Sequence, residues 1–358
     1  MGGMTRLLTA GAAIASVAAI AVSPAASAAV PVVTDNAFIL GGANADGWAP
    51  AILGPLDPWG NNGKLIPLIN ANYYDCNGCT PTIVEYPRTA GPLFGPFAPF
   101  ADESIAIGAG KAVDDVRKAP GSSVISGLSL GAMTADAAQR AFDADPNRPS
   151  ASKLTFIVTG DPSRVTPLTT GIGSYFPVGL RIPVLGWTVV RPPSESIYDT
   201  VDVVGEYEWA GDFPNRPWNL LADLNSLVAF NYTHSEASLT SPTDIPLKNI
   251  VTTTNSTGAT TTTYLWPSPE LPLVRQFDKV LPPKLITAVN DVLKPIVDRA
   301  YSRYDAVTGN PAPYLQPTNG FPKLVRPETM SAASRNLPLS ATASRTPSHA
   351  SPRRAAAR

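Results

Sequence analysis

The sequence predicts an α/β fold in which helices cover both faces of a mostly parallel central sheet. Short apolar runs bounded by turn residues are typical of buried strands, and they occur at 37–40, 83–86, 122–126, 154–159 and 199–207. Patterns typical of amphipathic helices, at 102–118 and 130–142, alternate with these runs. The chain has 358 residues, of which 44% are hydrophobic, so it also contains enough apolar material for a sizeable core.

The N-terminal segment 1–28 has the pattern of a signal peptide. Arg6 precedes an uncharged run at 7–22, and Ala26-Ser27-Ala28 has the small-x-small form of a cleavage site, so we expect cleavage after Ala28. The run is shorter than the roughly 20 apolar residues that a spanning helix needs, and an uncleaved membrane anchor is the alternative. The pattern predicts an exported protein, either secreted or retained in the cell envelope.

The C-terminal segment 327–358 has the composition of a disordered basic tail. It is rich in Ala, Ser and Pro, and from Ser331 onward it carries arginines but no acidic residue. This composition is compatible with two roles. The tail could contact an anionic envelope surface, or it could be solvated and have no specific role. We therefore expect residues 29–326 to form the folded domain.

Charge and cysteine content exclude several classes of protein. The 27 basic and 28 acidic residues nearly cancel, and no basic stripe interleaved with aromatic residues occurs, so we expect no nucleic-acid partner. The two cysteines, Cys76 and Cys79, form a C-x-x-C pair. A redox motif or half a zinc site is the alternative, but the chain lacks a second such pair and has two histidines. In an exported protein the pair predicts a local disulfide, and we expect no cofactor.

The segment 126–132, which reads Ser-Gly-Leu-Ser-Leu-Gly-Ala, is the strongest functional signal. Its G-x-S-x-G pattern lies between a predicted strand and a predicted helix, which is the setting of a nucleophile elbow. Glycines on both sides of Ser129 allow the tight turn that exposes the serine hydroxyl. The helix start would direct the amide of Leu130 toward the oxyanion of an acyl-transfer intermediate. The sequence therefore predicts an α/β-hydrolase fold with Ser129 as its nucleophile.

A serine nucleophile needs a base, and the chain offers His234 and His349. His349 lies in the predicted tail, so His234 is the candidate base. It follows a predicted helix at 218–230, and it comes after Ser129 in the order Ser, acid, His that α/β-hydrolases use. A histidine with a purely structural role is the alternative.

The third member of the triad is an acid that orients the imidazole, and it should follow a strand between Ser129 and His234. The loop after the strand at 199–207 contains two candidates, Glu208 and Asp212. We favour Asp212, because a neighbouring glycine and proline shape a turn that can direct a short carboxylate at the histidine. Glu208 is held in reserve, since glutamate serves in some triads.

Three further features belong to the predicted site. Asp161, after an earlier strand, is interpreted as a structural cap of its own loop. The loop 41–43 has little side-chain bulk, and we expect the amide of Ala43 to be the second oxyanion donor, with a plain turn as the alternative. The segment 163–196 is apolar and carries few charges, which indicates a lid-like insertion near the site and favours a long acyl chain as substrate.

Several of these residues together resemble the PE-PPE domain of mycobacterial and related actinobacterial proteins. The resemblance runs from about residue 36 to residue 304. It is carried by Leu40-Gly41-Gly42, the serine turn, Gly160-Asp161-Pro162, the segments 206–208 and 212–214, Asn219, Ala222, Asn225 and His234. It implies a cutinase-like serine α/β-hydrolase that acts on acyl esters. Some members with their own signal sequence are acyltransferases that rearrange acyl chains on trehalose glycolipids, and this chain, which lacks a PE or PPE helical region, looks similar to that exported group.

Two positions depart from the family pattern. The residue after the nucleophile is usually polar, whereas this chain has Leu130 there. The family's Tyr-Asp reads Tyr207-Glu208 in this chain, which leaves the identity of the acid open. The persistence of Asp212 downstream is one reason for preferring it.

The sequence thus predicts an exported serine acyltransferase or esterase that forms an acyl-enzyme on Ser129. We expect it to move fatty acyl groups between envelope glycolipids such as acylated trehalose. The alternatives are a lipase that releases free fatty acid and a non-catalytic envelope protein that binds lipid. The expected partners are an acylated lipid or glycolipid, the membrane or envelope surface, and lipid-export machinery.

Overall fold

The computed structural model describes residues 21–24, 31–43, 65–308 and 312–326. Most of the predicted signal peptide and all of the predicted tail at 327–358 lie outside these ranges, so both stay predictions. Within these ranges no helix combines the length and the apolar content that crossing a bilayer requires.

The strands of the described residues organise the fold. They are β1 (Ala21–Pro24), β2 (Val32–Val33), β3 (Asn36–Leu40), β4 (Tyr74–Asp75), β5 (Thr82–Ile83), β6 (Ser123–Leu128), β7 (Leu154–Thr159), β8 (Arg181–Ile182), β9 (Trp187–Thr188), β10 (Thr200–Gly205), β11 (Ile250–Thr254), β12 (Thr260–Trp266), β13 (Tyr314–Gln316) and β14 (Lys323–Val325). Eight of them form one sheet in the order β1-β11-β12-β10-β7-β6-β3-β5.

This sheet is mostly parallel, which confirms the predicted α/β class. Every neighbouring pair from β12 to β5 runs in parallel, while β11 pairs antiparallel with β12 and with β1. The loops that follow β3, β6, β7 and β10 therefore emerge at the same edge of the sheet. Ligand and catalytic sites of parallel sheets lie at this carboxyl edge.

The helices are α1 (Ala101–Lys118), α2 (Leu130–Asp143), α3 (Leu220–Ala229), α4 (Pro272–Arg275), α5 (Pro283–Asp298) and α6 (Asp305–Thr308). Phe100 is the N-cap residue of the first of these helices, and no side chain caps it, although Asp102 lies in its first turn. Asp102 instead accepts hydrogen bonds from the amide of Thr188, over 2.8 Å, and from Arg181, over 2.6 Å. It thus ties α1 to the segment around β8 and β9.

Different layers cover the two faces of the sheet. On one face α1 and α2 pack against the strands, and Phe142 of α2 is buried with Ile125 and Phe156. On the other face the described residues form short turns, from which Tyr73 and Ala237 pack against the sheet. Helices α3, α4 and α5 form a separate apolar cluster beyond the end of β10.

Strand β1 lies within the predicted signal peptide, although the sequence led us to expect that residues 1–28 take no part in the fold. Its residues 21–24 pair antiparallel with 251–254 of β11. The pairing supplies partners for the outer backbone groups of β11, which would otherwise be an open edge of the sheet. Cleavage after Ala28 would remove this strand from the mature chain.

The insertion at 163–196 lies beside the turn that carries Ser129. Trp187 and Val189 are buried in one cluster with Leu130, and Ala43 packs against the same cluster. On its outer side, Val184 is 56% exposed. One face of the insertion therefore packs at the predicted site, and the other is an apolar surface.

A disulfide joins Cys76 to Cys79, as the sequence predicts. The two residues between the cysteines, Asn77 and Gly78, have φ angles of 29° and 81°, which is the left-handed backbone of a tight turn. The bond closes the turn between β4 and β5. This pair has no chemical role at the site described below.

Candidate active site

The predicted nucleophile lies on a strained turn between β6 and α2. Ser129 has φ 56° and ψ −116°, a conformation that side-chain-bearing residues rarely adopt. Its amide donates to the carbonyl of Thr159 over 2.8 Å, which fixes the turn against the neighbouring strand. Side chains at Gly127 and Gly131 would collide with nearby backbone, so both positions require glycine. This is the geometry of a nucleophile elbow.

The loop 41–43 lies directly against this turn. A β-carbon at Gly42 would stand 3.6 Å from that of Ser129. The loop is anchored by Tyr86, whose hydroxyl donates to the carbonyl of Gly41 over 2.6 Å. Leu130 is the first residue of α2, where a helical N–H has no intrahelical acceptor. The structure thus brings both predicted oxyanion donors, Leu130 and Ala43, next to the serine.

His234 ends the helical segment that carries it toward the cavity. Helix α3 continues into a π-helical turn, Phe230–His234, so the histidine is at the end of this segment and not in a loop beyond it. The imidazole is buried and stacks on Phe230, with ring centroids 4.3 Å apart and planes 23° apart. Ser129 and His234 line the same cavity. Among the described residues, Nε2 of His234 has no hydrogen-bond partner.

Glu208 is the carboxylate that contacts the histidine. Its Oε2 lies 2.9 Å from Nδ1 of His234, and because a carboxylate only accepts, the proton of this bond belongs to the imidazole. The amides of Ala210 and Gly211 donate to the same carboxylate over 2.8 and 2.6 Å. These three bonds fix the position of the Glu208 carboxylate. The carboxylate in turn fixes the orientation of the imidazole, and Nε2 remains available to a group in the cavity.

The preference for Asp212 as the partner of His234 is wrong. Asp212 is fully buried and forms a two-bond ion pair with Arg303, at 2.6 and 2.8 Å. It also accepts the amide of Tyr207 over 2.8 Å, and its own amide donates to the carbonyl of Glu208. Burial raises the pKa of Asp212 to about 6, and the charge of Arg303 opposes this rise. Asp212 therefore holds the turn on which Glu208 is placed.

The family pattern already favoured Glu208, the alternative acid, as the partner of His234. Tyr207-Glu208 occupies the place of the family's Tyr-Asp, and that position supplies the contact to His234 in the structure. Two other contributors, Phe230 and Arg303, were not singled out from the sequence. Phe230 could have been identified from the sequence, since it precedes His234 by about one helical turn. Arg303 could not, because it is remote in sequence from Asp212.

Asp161 has the structural role that the sequence predicts. Its Oδ1 accepts the amide of Ser163 over 2.8 Å, and its other oxygen lies 3.5 Å from Nε of Arg164. Arg164 also pairs with Asp136 over 2.5 Å. Asp161 thus anchors the start of the insertion and does not contact His234.

The cavity around Ser129 and His234 is mainly apolar. Besides Ser129 and His234, its polar members are Arg88, Ser235 and Ser238. Leucine, isoleucine and phenylalanine side chains form much of the wall; they are Leu65, Ile66, Ile69, Leu128, Phe230 and Leu239. An apolar wall beside a serine and a histidine favours an apolar group next to the reacting atoms. No group of three or more His, Cys, Asp or Glu in the described ranges is arranged to hold a metal ion.

Gly160 leaves the space in which the histidine and its acid meet. It has φ 60°, and a β-carbon there would stand 2.6 Å from Cε1 and 2.7 Å from Nδ1 of His234. We expect Gly160→Ala to displace the imidazole and to lower kcat/KM for an ester about a hundredfold or more, because a shift of this size disrupts alignment. Steady-state kinetics on a soluble ester will measure it.

Gly258 provides the matched control for this substitution. Its φ of 91° imposes the same kind of backbone strain on alanine, but a β-carbon there meets nothing within 4 Å. Gly258→Ala should therefore reduce stability by about 1–2 kcal/mol and leave the kinetics of the folded enzyme unchanged. Equal activity losses in the two variants would show that strain, and not contact with the histidine, is responsible.

Comparison with known proteins identifies the family to which this chain is similar. A model of the PE-PPE domain matches residues 77–302. The curated relatives include the SL1278 acyltransferase Chp1 of Mycobacterium tuberculosis, which is 38% identical over 78% of this chain and 68% of its own length. The diacyltrehalose acyltransferase Chp2 of the same organism is 36% identical over 59% of each chain. Esterase PE16, also from that organism, is 31% identical over 56% of this chain and 38% of its own length.

Among solved structures, a cutinase-like protein from a Cryptococcus species aligns with 52% of this chain and 81% of its own. The sequence identity is 17% and the TM-score is 0.27. The fold is established by the order of the sheet and by the serine turn described above.

Proposed function

Because this chain belongs to the PE-PPE domain family, we propose that Ser129, His234 and Glu208 form its catalytic triad. The chain is an enzyme of the acyltransferase or carboxylic ester hydrolase class, as the names of its relatives Chp1, Chp2 and PE16 indicate. One observation supports the triad above the others. His234 is fixed through Nδ1 by Glu208 and lines one cavity with Ser129, while its Nε2 is without a partner among the described residues.

In the proposed reaction, Oγ of Ser129 attacks the carbonyl carbon of an ester while its proton passes to Nε2 of His234. The amides of Leu130 and Ala43 donate to the resulting oxyanion. The intermediate collapses as the alcohol leaves with the proton from the imidazole, and an acyl-enzyme remains on the serine. Glu208 stabilises the protonated imidazole throughout.

A second alcohol then resolves the acyl-enzyme. Its hydroxyl gives a proton to His234 and attacks the acyl carbon, and Ser129 regains its proton as the product ester leaves. If water takes this place, the product is a free fatty acid. The chemistry of the triad is the same in both cases, so the acceptor that reaches the apolar cavity decides between transfer and hydrolysis.

We propose that the acceptor is a glycolipid hydroxyl and that acylated trehalose is the substrate class. The names of the relatives Chp1 and Chp2 support acyl transfer, and the name of Chp2 specifies diacyltrehalose. Hydrolysis is the second candidate, supported by the esterase PE16. The signal-peptide pattern at 1–28 supports action in the cell envelope or outside the cell.

Labelling by a fluorophosphonate probe tests the nucleophile. The wild-type protein should be labelled, whereas Ser129→Ala should not, because the probe reacts with an activated serine hydroxyl. Ser256→Ala, in the turn between β11 and β12, is the control and should be labelled like wild type. Labelling of Ser129→Ala at the wild-type rate would disprove the assignment.

Product analysis separates the two candidate reactions. Purified protein incubated with diacyltrehalose should give more highly acylated trehalose together with a less acylated species, as mass spectrometry would detect. Free fatty acid as the sole acyl product would contradict transfer and establish hydrolysis.

A further inference from the structure

Helix α3 presents an apolar row to solvent. Leu220, Leu224 and Leu227 are 76%, 49% and 51% exposed. Their spacing of four and three residues places them on one side of the helix. The opposite side, which includes Ala222 and Ala229, is buried against the neighbouring helices. About half or more of each of these leucine side chains is therefore left in contact with solvent.

Helix α5 adds a second row next to the first. Leu285, Val292 and Ile296 are exposed and lie on one side of this helix, since they are seven and four residues apart. The side-chain amide of Asn219 donates to the carbonyl of Ile296 over 2.8 Å. The start of α3 thus adjoins the second half of α5. We call the surface formed by Leu220, Leu224, Leu227, Leu285, Val292 and Ile296 the apolar helix face.

One end of the apolar helix face lies about one helical turn from a residue that lines the candidate active site. Leu227 precedes Phe230 by about one helical turn, and Phe230 lines the cavity and stacks on His234. A chain that leaves the cavity past Phe230 would meet the exposed leucines of α3. The helix that carries the exposed leucines therefore leads into the segment that carries the histidine to the cavity.

The charges around this face nearly balance. The segments 218–230 and 271–299, which contain α3, α4 and α5, carry five basic and four acidic residues. Recognition of an acidic or basic partner would require an excess of one sign. Exposed apolar area that borders an apolar cavity fits an uncharged hydrocarbon boundary instead.

We propose that the apolar helix face docks on the surface of a lipid assembly and brings the cavity to acylated lipids held there. The choice of a lipid occupant rests on the proposed function, because the proposed substrate is itself part of such an assembly. Docking in this orientation would let an acyl chain pass from lipid to cavity along a continuous apolar path. The contact depends on apolar area, so it should change little with salt concentration.

Co-sedimentation of the full chain with phosphatidylcholine vesicles tests this proposal. The double variant Leu220→Gln/Leu224→Gln should partition onto vesicles at least about tenfold more weakly than wild type, since two leucines lose their apolar contact. The control Leu247→Gln/Leu324→Gln replaces two exposed leucines outside the face and should bind like wild type. Turnover of a short soluble ester should be unchanged in both.

Two results would overturn the proposal. The first is wild-type vesicle binding by Leu220→Gln/Leu224→Gln. The second is a wild-type dimer in solution that this variant converts to a monomer, because a second copy of the chain would then cover the face. The variant Ser129→Ala distinguishes the docking proposal from the proposed reaction. It should bind vesicles like wild type even though it turns over no ester. If the wild type binds vesicles but lacks esterase and transferase activity, docking stands and the proposed reaction fails.

Discussion

Alanine at Ser129 or at His234 should lower kcat/KM for an ester at least about 10⁴-fold, and the double variant should lose little more than either single variant. Nucleophile and base act in the same proton transfer, so removal of one makes the other ineffective. No other histidine lies within the described ranges, since His349 falls in 327–358. Steady-state kinetics on one soluble ester, with active-site titration of the wild type, gives all three values.

The fold of these variants must be compared with that of the wild type. His234 is buried and bonded to Glu208, so circular dichroism and thermal unfolding should accompany the kinetics. Phe230→Leu is a useful companion, because it removes the stacked ring without removing the base. It should retain measurable activity. A His234→Ala enzyme with more than about a tenth of wild-type activity would contradict the role of this histidine as general base.

Replacement of Glu208 and of Asp212 should affect different properties of the protein. Glu208→Gln removes the negative charge beside the imidazole and turns an NH2 group toward buried N–H donors, so it should lower kcat by about 10³- to 10⁴-fold and the free energy of unfolding by about 1–2 kcal/mol. Asp212→Asn removes the nearer of the two carboxylates that pair with the buried Arg303, and leaves Glu206 at 3.7 Å as the remaining one. It should reduce the free energy of unfolding by about 3–5 kcal/mol.

The measurements are kcat of the folded protein at low temperature and the midpoint of thermal unfolding. Asp212→Asn should show a lowered midpoint, with kcat within about tenfold of wild type, because it acts on the turn and not on the imidazole. Thr243→Ala, at an exposed turn, is the control variant, and both its kcat and its unfolding midpoint should equal those of the wild type. The opposite pattern, with kcat lost in Asp212→Asn and kept in Glu208→Gln, would restore Asp212 as the acid of the triad.

The sequence predicted the elements that depend on local pattern. The strand at 154–159 and the helix from Leu130 have the predicted limits to within one residue, because apolar periodicity and the glycines around Ser129 are local properties. His234 was identified by elimination, because the other histidine, His349, lies in a segment whose composition cannot form a core. The choice between Glu208 and Asp212 failed because it rested on the neighbouring turn residues and on the presence of Asp212 downstream of the changed family position, and not on contacts.

What decides that choice is a contact between distant parts of the chain. Arg303 draws Asp212 away from the histidine, and Gly160 opens the space that the longer carboxylate of Glu208 reaches. Neither contact has a local sequence signature. The apolar rows on α3 and α5 were missed for a related reason. Their leucines and valines look like core residues until the packing shows which side of each helix is buried.

The ion pair between Asp212 and Arg303 joins two segments that are 91 residues apart in the chain. The turn that carries the acid therefore depends on a residue that is synthesised well after the serine, the acid and the histidine. A nascent chain that has all three of these residues still lacks the positive charge that compensates the buried carboxylate. The turn should accordingly reach its full stability only once the polypeptide has been made and folded past position 303, so the last part of the domain to be synthesised stabilises a turn made much earlier.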